Sequence, residues 1–176
     1  LMFKKRDSLG ILEKYHIYSL FQPKYNKNVF NLCFGEKGDK EICTFDYHYD
    51  PKHVPGFTTG LLITSRFIWK PLSIYPKDFS NEYMGEISAL NDINFESLDF
   101  TENYYVKCED KKFAYDIIHP QIMELLLQAK PLYIETRHKT VLFRHKDQFP
   151  VSEMDLLLKT AIKFIDLIPE YMKKKG

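Results

Sequence analysis

What these 176 residues have little of excludes a good deal. Three cysteines (Cys33, Cys43 and Cys108) are too few and too scattered for a disulfide framework, and an odd number leaves one over. Cys33 and Cys43 suit facing positions across a hairpin, but the expectation is reduced, buried thiols in a reducing, cytosolic setting. Seven glycines and no biased runs argue against disorder and low complexity. Apolar runs are only a few residues long, so no stretch reads as a spanning helix or a signal peptide. An excess of one charge is missing too: 25 basic residues face 24 acidic ones, for a net charge of +1. Nucleic-acid binders carry a basic stripe because phosphate contacts dominate their affinity, so nucleic acid is not an expected partner. There is no Gly-x-Ser-x-Gly, no phosphate-binding loop, no Cys-x-x-Cys and no repeat of fixed period.

What is present is aromatic. Fourteen Phe and 12 Tyr, within a 44% hydrophobic composition, supply a core and favour strands, where flat side chains pack on a pleated face. The length fits one domain. Residues 1–27 read as an N-terminal helical segment, with apolar Leu9, Leu12, Ile17 and Leu20 over Ser8–Phe21, ending before Gln22-Pro23. Residues 28–176 read as a single α+β domain. Asn28–Phe34 and Lys40–Tyr49, around the turn Gly35–Asp39, form a hairpin. After a loop over His53–Phe57, strands are predicted at Thr58–Ser65 and Leu72–Tyr75, then a helical turn within Asp78–Gly85.

The segment Asp92–Gln128 is the densest in local signals. It holds acidic-aromatic turns, a short strand at Tyr104–Cys108, a link over Phe113–Ile118, and a helix from His119-Pro120 to Gln128. Proline suits a first helical position because its missing N–H would be unpaired there anyway. Leu132–Thr136 and Thr140–Arg144 flank Arg137-His138-Lys139 as a second hairpin. Ser152-Glu-Met-Asp155 resembles a capping box, and it opens the longest helix, Glu153–Ile168, with a core-facing stripe from Met154 to Ile168 and Pro169 as its stop. Hairpins dominate, so the fold class is α+β: an antiparallel sheet with helices, including this C-terminal one, packed on one face.

Several constellations bear on chemistry. Asp46, His48 and Asp50 alternate along a strand and share a face, a grouping that suits a divalent metal. The alternating Phe45, Tyr47 and Tyr49 supply the plainer account, in which the aromatics face the core and the polar three face water. Tyr47, Tyr49, Phe57, Phe67 and Trp69 suit an apolar ligand groove, although an aromatic sheet face is more often covered by a helix. Cys108 precedes Glu109-Asp110, an acidic setting that raises a thiol pKa and disfavours a nucleophile. His119 is placed to cap a helix, and His138 and His145 read as surface residues. Neither a catalytic residue nor a cofactor is expected.

On the hairpin ending Cys43-Thr-Phe-Asp-Tyr-His-Tyr49, on Asp92-Ile-Asn-Phe-Glu-Ser with Phe100, Val106 and Phe113–Leu127, and on the closing Pro150–Pro169 helix, the chain resembles an uncharacterised prokaryotic family. Members of that family are often found beside predicted membrane helices. The resemblance implies a scaffold and, by analogy, a membrane neighbour; it implies no catalytic residue.

The leading expectation is therefore a non-enzymatic cytosolic domain that binds another protein. Lys4, Lys5 and Arg6 suit an anionic membrane surface, each contributing on the order of 1 kcal/mol. The opening Leu1-Met-Phe-Lys-Lys-Arg6 fits an arbitrary start or the cut end of a membrane helix, which would hold the domain at the inner face of the membrane. The alternative is a small-molecule or lipid-binding domain with an aromatic sheet-face pocket under the C-terminal helix.

Overall fold

The computed structural model describes residues 26–50, 56–78 and 92–173. The helix expected over Ser8–Phe21, the basic group Lys4, Lys5 and Arg6, and nearly all of the turn expected over Asp78–Gly85 lie outside them. Strands β1 (Asn26–Lys37) and β2 (Lys40–Asp50) form the expected antiparallel hairpin. Its turn is the pair Gly38-Asp39, and Gly38 has the positive φ, 62°, that tight hairpin turns demand of their first central residue. A bulge between Phe30 and Cys33 is absorbed by Asn31, φ 50°, one of the few side chains that tolerate the left-handed region.

The next strand corrects the sequence reading. Thr58–Ser65 and Leu72–Tyr75 are not two strands but parts of one, β3, Gly56–Pro76. Likewise Leu132–Thr136 and Thr140–Arg144 do not form a hairpin; they are one strand, β5, Tyr133–Arg144. β5 runs antiparallel along one edge of β3, from Gly60↔Arg144 to Ile74↔Ile134. Along the other edge lie β2, paired from Thr64 back to Gly56, and then β4 (Tyr104–Cys108), paired from Leu72 to Pro76. The reason for the misreading is in the register. β3 slips against β5 between Thr64 and Trp69 and again between Trp69 and Leu72, on either side of the Trp69↔His138 pair. Pro71, which has no N–H to give, falls in the second slip, where a strand tolerates proline. His138 takes φ 49° opposite. The break read between two strands and the turn read at Arg137-His138-Lys139 are facing irregularities in one continuous ladder.

The helices are α1 (Leu98–Asn103), α2 (Lys111–Ile117), α3 (Pro120–Gln128), α4 (Met154–Asp166) and α5 (Glu170–Lys173), with a 3-10 turn at Val151–Glu153. α1 was unforeseen, being only six residues long; Ser97 caps it, its Oγ accepting from Phe100 N at 3.3 Å. Asp110 caps α2 in the same way, its carboxylate accepting from Phe113 N at 3.0 Å. The capping box at Ser152 does not form. The 3-10 turn takes its place, and Glu153 precedes α4 with no side-chain cap.

These elements make an α+β fold around a five-stranded antiparallel sheet. Alternation along β3 and β5 splits the core in two. Leu61, Ile63, Val141 and Phe143 join Trp69, Leu72 and Ile74 against Phe113, Ile122, Leu157, Phe164 and Ile165 of α2, α3 and α4. Leu62 and Leu142 point the other way, into a smaller cluster with Leu32, Cys43, Phe45 and Tyr47 that contains no helical residue among those described. Sheet residues from both faces are almost fully buried, which is why Gly60–Ile63 and Val141–Phe143 read as plain apolar runs.

Gly60 sits directly opposite Phe45, and the Phe45 ring lies over it. A Cβ at Gly60 would come within 2.3 Å of Phe45 Cζ, and Phe45 is only 1% exposed, so the ring has nowhere to go. Gly60→Ala is expected to destabilise the fold by about 1–3 kcal/mol, the usual cost of overpacking. The double variant Gly60→Ala with Phe45→Leu should recover part of that loss, read from urea midpoints; no loss in the single variant would show that the ring moves freely.

Candidate functional site

The carboxylate and imidazole that suggested a metal are engaged otherwise. Asp46 accepts from Asn31 Nδ2 at 2.8 Å, from Thr59 Oγ1 at 2.6 Å and from Gln148 Nε2 at 2.9 Å. Thr59 Oγ1 in turn accepts from Phe149 N at 2.7 Å. Asp46 thus ties the β1 bulge, the centre of β3 and the segment after β5 into one knot. Its donors are neutral amides and a hydroxyl, the company of a structural carboxylate. The His48 ring packs on Phe57, centroids 4.6 Å apart. The side chains of Tyr49 and Asp50 lie outside the described part of the structure. Among the described residues no three His, Cys, Asp or Glu side chains are grouped to hold a metal ion.

The aromatic set does not line one pocket. Tyr47 is buried in the smaller cluster, on the face away from the helices. Trp69 is on the helical face, edge-on to Phe67 at 4.6 Å and stacked on Phe164 of α4 at 6.2 Å. Phe57 is half exposed near one end of β3. Phe164 of α4 therefore covers Trp69, while Phe67 borders a separate hollow of about 320 Å³ with Phe113, Tyr171 and Met172.

Cys108 is fully buried, and its single thiol proton lies between two acceptors, Pro71 O at 3.2 Å and Asp110 O at 3.3 Å from Sγ. Burial pushes its pKa up, with Asp110 and Glu109 adding to the rise, so the thiol stays protonated. His119 does not cap α3 with its side chain; its Nε2 lies 3.0 Å from Leu167 O, at the end of α4. His138 is exposed and His145 partly so.

A larger open concavity than this hollow lies elsewhere, and sequence reasoning missed it. Asn94–Ser97, Tyr115 and Ile118 at the end of α2, and His119–Gln128 around α3 enclose a groove of about 690 Å³. Every lining residue belongs to the Asp92–Gln128 segment. Phe95, Tyr115, Met123 and Leu127 give it apolar surface over the buried Ile118, and its polar lining includes Glu96, Glu124, Gln128 and His119. The frame is held on all sides. Asp92 bridges to Lys107 and Ile93 N donates to Val106 O at 2.9 Å, which fixes the start of the loop to β4. Tyr115 Oη donates to Asn94 O at 3.1 Å and Thr101 Oγ1 to Phe95 O at 3.0 Å. The Phe95 ring meets Phe100 at 5.5 Å and Tyr115 at 5.3 Å, both edge-on. On the far side of α3, buried Tyr104 donates its hydroxyl to Leu126 O at 3.1 Å and ties the helix to β4. The one sequence signal for the groove was the apolar residue left over on α3: Leu127 is 38% exposed, outside the face that Ile122, Leu125 and Leu126 bury.

Asp46→Ala is expected to cost about 1–3 kcal/mol, because it orphans three donors, one of them on a buried threonine. A chelator should leave the melting temperature of the unaltered chain unchanged; a chelator-dependent drop would return Asp46 and His48 to metal duty. Burial raises Tyr104 and Tyr75 to about 12, above the ordinary value of 10. A raised tyrosine pKa favours the neutral, folded form, so this stabilisation is complete below pH 10 and lost as pH climbs towards 12. Unfolding titrated from neutral to alkaline pH should show that loss, and Tyr104→Phe should flatten it while lowering stability at neutral pH. Comparison with protein-family models, curated proteins and solved structures finds no match for the chain, so the family resemblance rests on its own residues alone.

Proposed function

We propose that this chain is a non-enzymatic interaction domain that binds a segment of another protein in the groove between the Asn94–Ser97 loop and α3. The observation that carries this reading is the groove itself: a braced, mainly apolar concavity whose apolar surface continues outward. Tyr115 on its wall is 50% exposed, and Leu98, next to Ser97, is 75% exposed. Exposed apolar residues gathered around a concavity mark binding surfaces, and a flexible methionine on the floor suits varied side chains. The protonated Cys108 thiol and the Asp46 carboxylate, which holds three structural hydrogen bonds, favour a binding role over catalysis. The buried thiols of Cys43 and Cys108 fit a cytoplasmic setting. No helix among the described residues is long and apolar enough to cross a membrane. Placement at the inner membrane face rests on Lys4, Lys5 and Arg6 and is a separate proposal.

A second reading takes the groove volume at face value. About 690 Å³ falls within the range of small-molecule sites, so an apolar ligand is the rival occupant. Selection of random peptides on the immobilised chain separates the two. Enriched peptides are expected, and Leu127→Asp should weaken their binding at least about tenfold, a loss of ~1.4 kcal/mol. Phe57→Asp, near one end of β3, should leave it unchanged. Peptide binding that ignores Leu127→Asp, or no enrichment beside a thermal shift with fatty acids, would overturn the protein-binding reading.

A further inference from the structure

From the charge and the hydrogen bonding of the groove we infer its occupant: a short amphipathic helix of a partner protein, with apolar anchors one turn apart and lysine or arginine flanking them. This inference rests on the groove being a protein-binding site. The chain as a whole is almost neutral, yet the groove is not, since no lining residue is lysine or arginine. Glu96 comes from the loop and Glu124 from α3, so each wall carries a carboxylate, and both residues are exposed. Glu124 spends one oxygen on Gln128 Nε2 at 3.0 Å, which leaves the other for an incoming donor. His119, the one lining residue able to carry positive charge, is held at Leu167 O.

The backbone decides between a strand and a helix. An added strand needs free main-chain groups in a row, as at a sheet edge. Here the loop carbonyls of Asn94 and Phe95 already accept from Tyr115 and Thr101, and the α3 backbone is bonded within its own helix. Recognition then falls to side chains, which is how an amphipathic helix binds in an apolar groove. Phe95, Met123 and Leu127 would receive the anchors, and Glu96 and Glu124 the flanking cations.

Two synthetic 14-residue helical peptides with the same leucine positions test this, one with lysine and arginine between the leucines and the other with glutamate. Titrated against the full chain at low salt, the basic peptide should bind about three- to tenfold more tightly, the gain expected of two partly exposed ion pairs. The preference should shrink at high salt and invert in Glu96→Lys/Glu124→Lys. Leu127→Asp should abolish binding of both peptides, with its circular dichroism spectrum and melting curve showing that it still folds. If both peptides bind equally and both are lost in Leu127→Asp, the groove reading stands and the charge inference falls. If neither binds, or if binding survives Leu127→Asp, the groove reading falls and takes this inference with it.

Discussion

β3 has partners on both edges at each end of its paired length, and the remainder of the architecture follows from that requirement. A strand of 21 residues has too many N–H and C=O groups to leave unpaired in a buried sheet. β5 runs along one edge from Gly60 to Ile74, broken only by the two slips, whereas the other edge is shared by β2 and β4 in succession. The sharing forces the hairpin and the helical half of the chain to opposite ends of one strand. It also sets where irregularity is allowed: the register slips fall between Thr64 and Leu72, where the β2 pairing has ended and the β4 pairing has not begun.

The helical half uses β4 as its foundation. Tyr104 reaches α3, Val106 receives the Ile93 N–H, and Cys108 leads into the cap of α2 at Asp110. Helices that rest on so short a strand leave a gap between their outer surfaces, and the Asn94–Ser97 loop borders it without filling it. The gap becomes a groove rather than a cavity because its two sides are pinned to the same strand by separate bonds. A binding surface supported in this way loses little freedom when it is occupied, which favours affinity.

Much of this was legible in the residues. The Gly38 turn, the aromatic alternation of β2, the Pro120 helix start and the apolar stripe of α4 are local signals, and each element formed where its signal stood. The misses share one physical cause: their meaning lies in a partner far along the chain. Pro71 looks like a strand boundary and Arg137-His138-Lys139 like a turn until they are seen to face each other across a ladder. Tyr47 and Trp69 look like one aromatic stripe until the slips in β3 and the two-sided burial of the sheet place them on opposite faces. Asp46 looked like half a metal site because Gln148, one of its donors, is 102 residues away. The groove was missed for a different reason, since a concavity is made by what a loop leaves empty.

The Asp46 knot carries a consequence for the order of assembly. Its bond to Asn31 closes a loop of 15 residues, while its bond to Gln148 closes one of 102. Chain closure over the longer span costs about 1.7 kcal/mol more in entropy, if the chain between is free. It is not free once β3 has zipped against β2 and β5, because those ladders bring the ends together beforehand. The closed sheet thus lowers the cost of the Gln148 bond, and the knot acts as a clasp across strands that the ladders have already brought together. The groove, made within one continuous stretch, owes nothing to that clasp and has a framework of short-range contacts of its own.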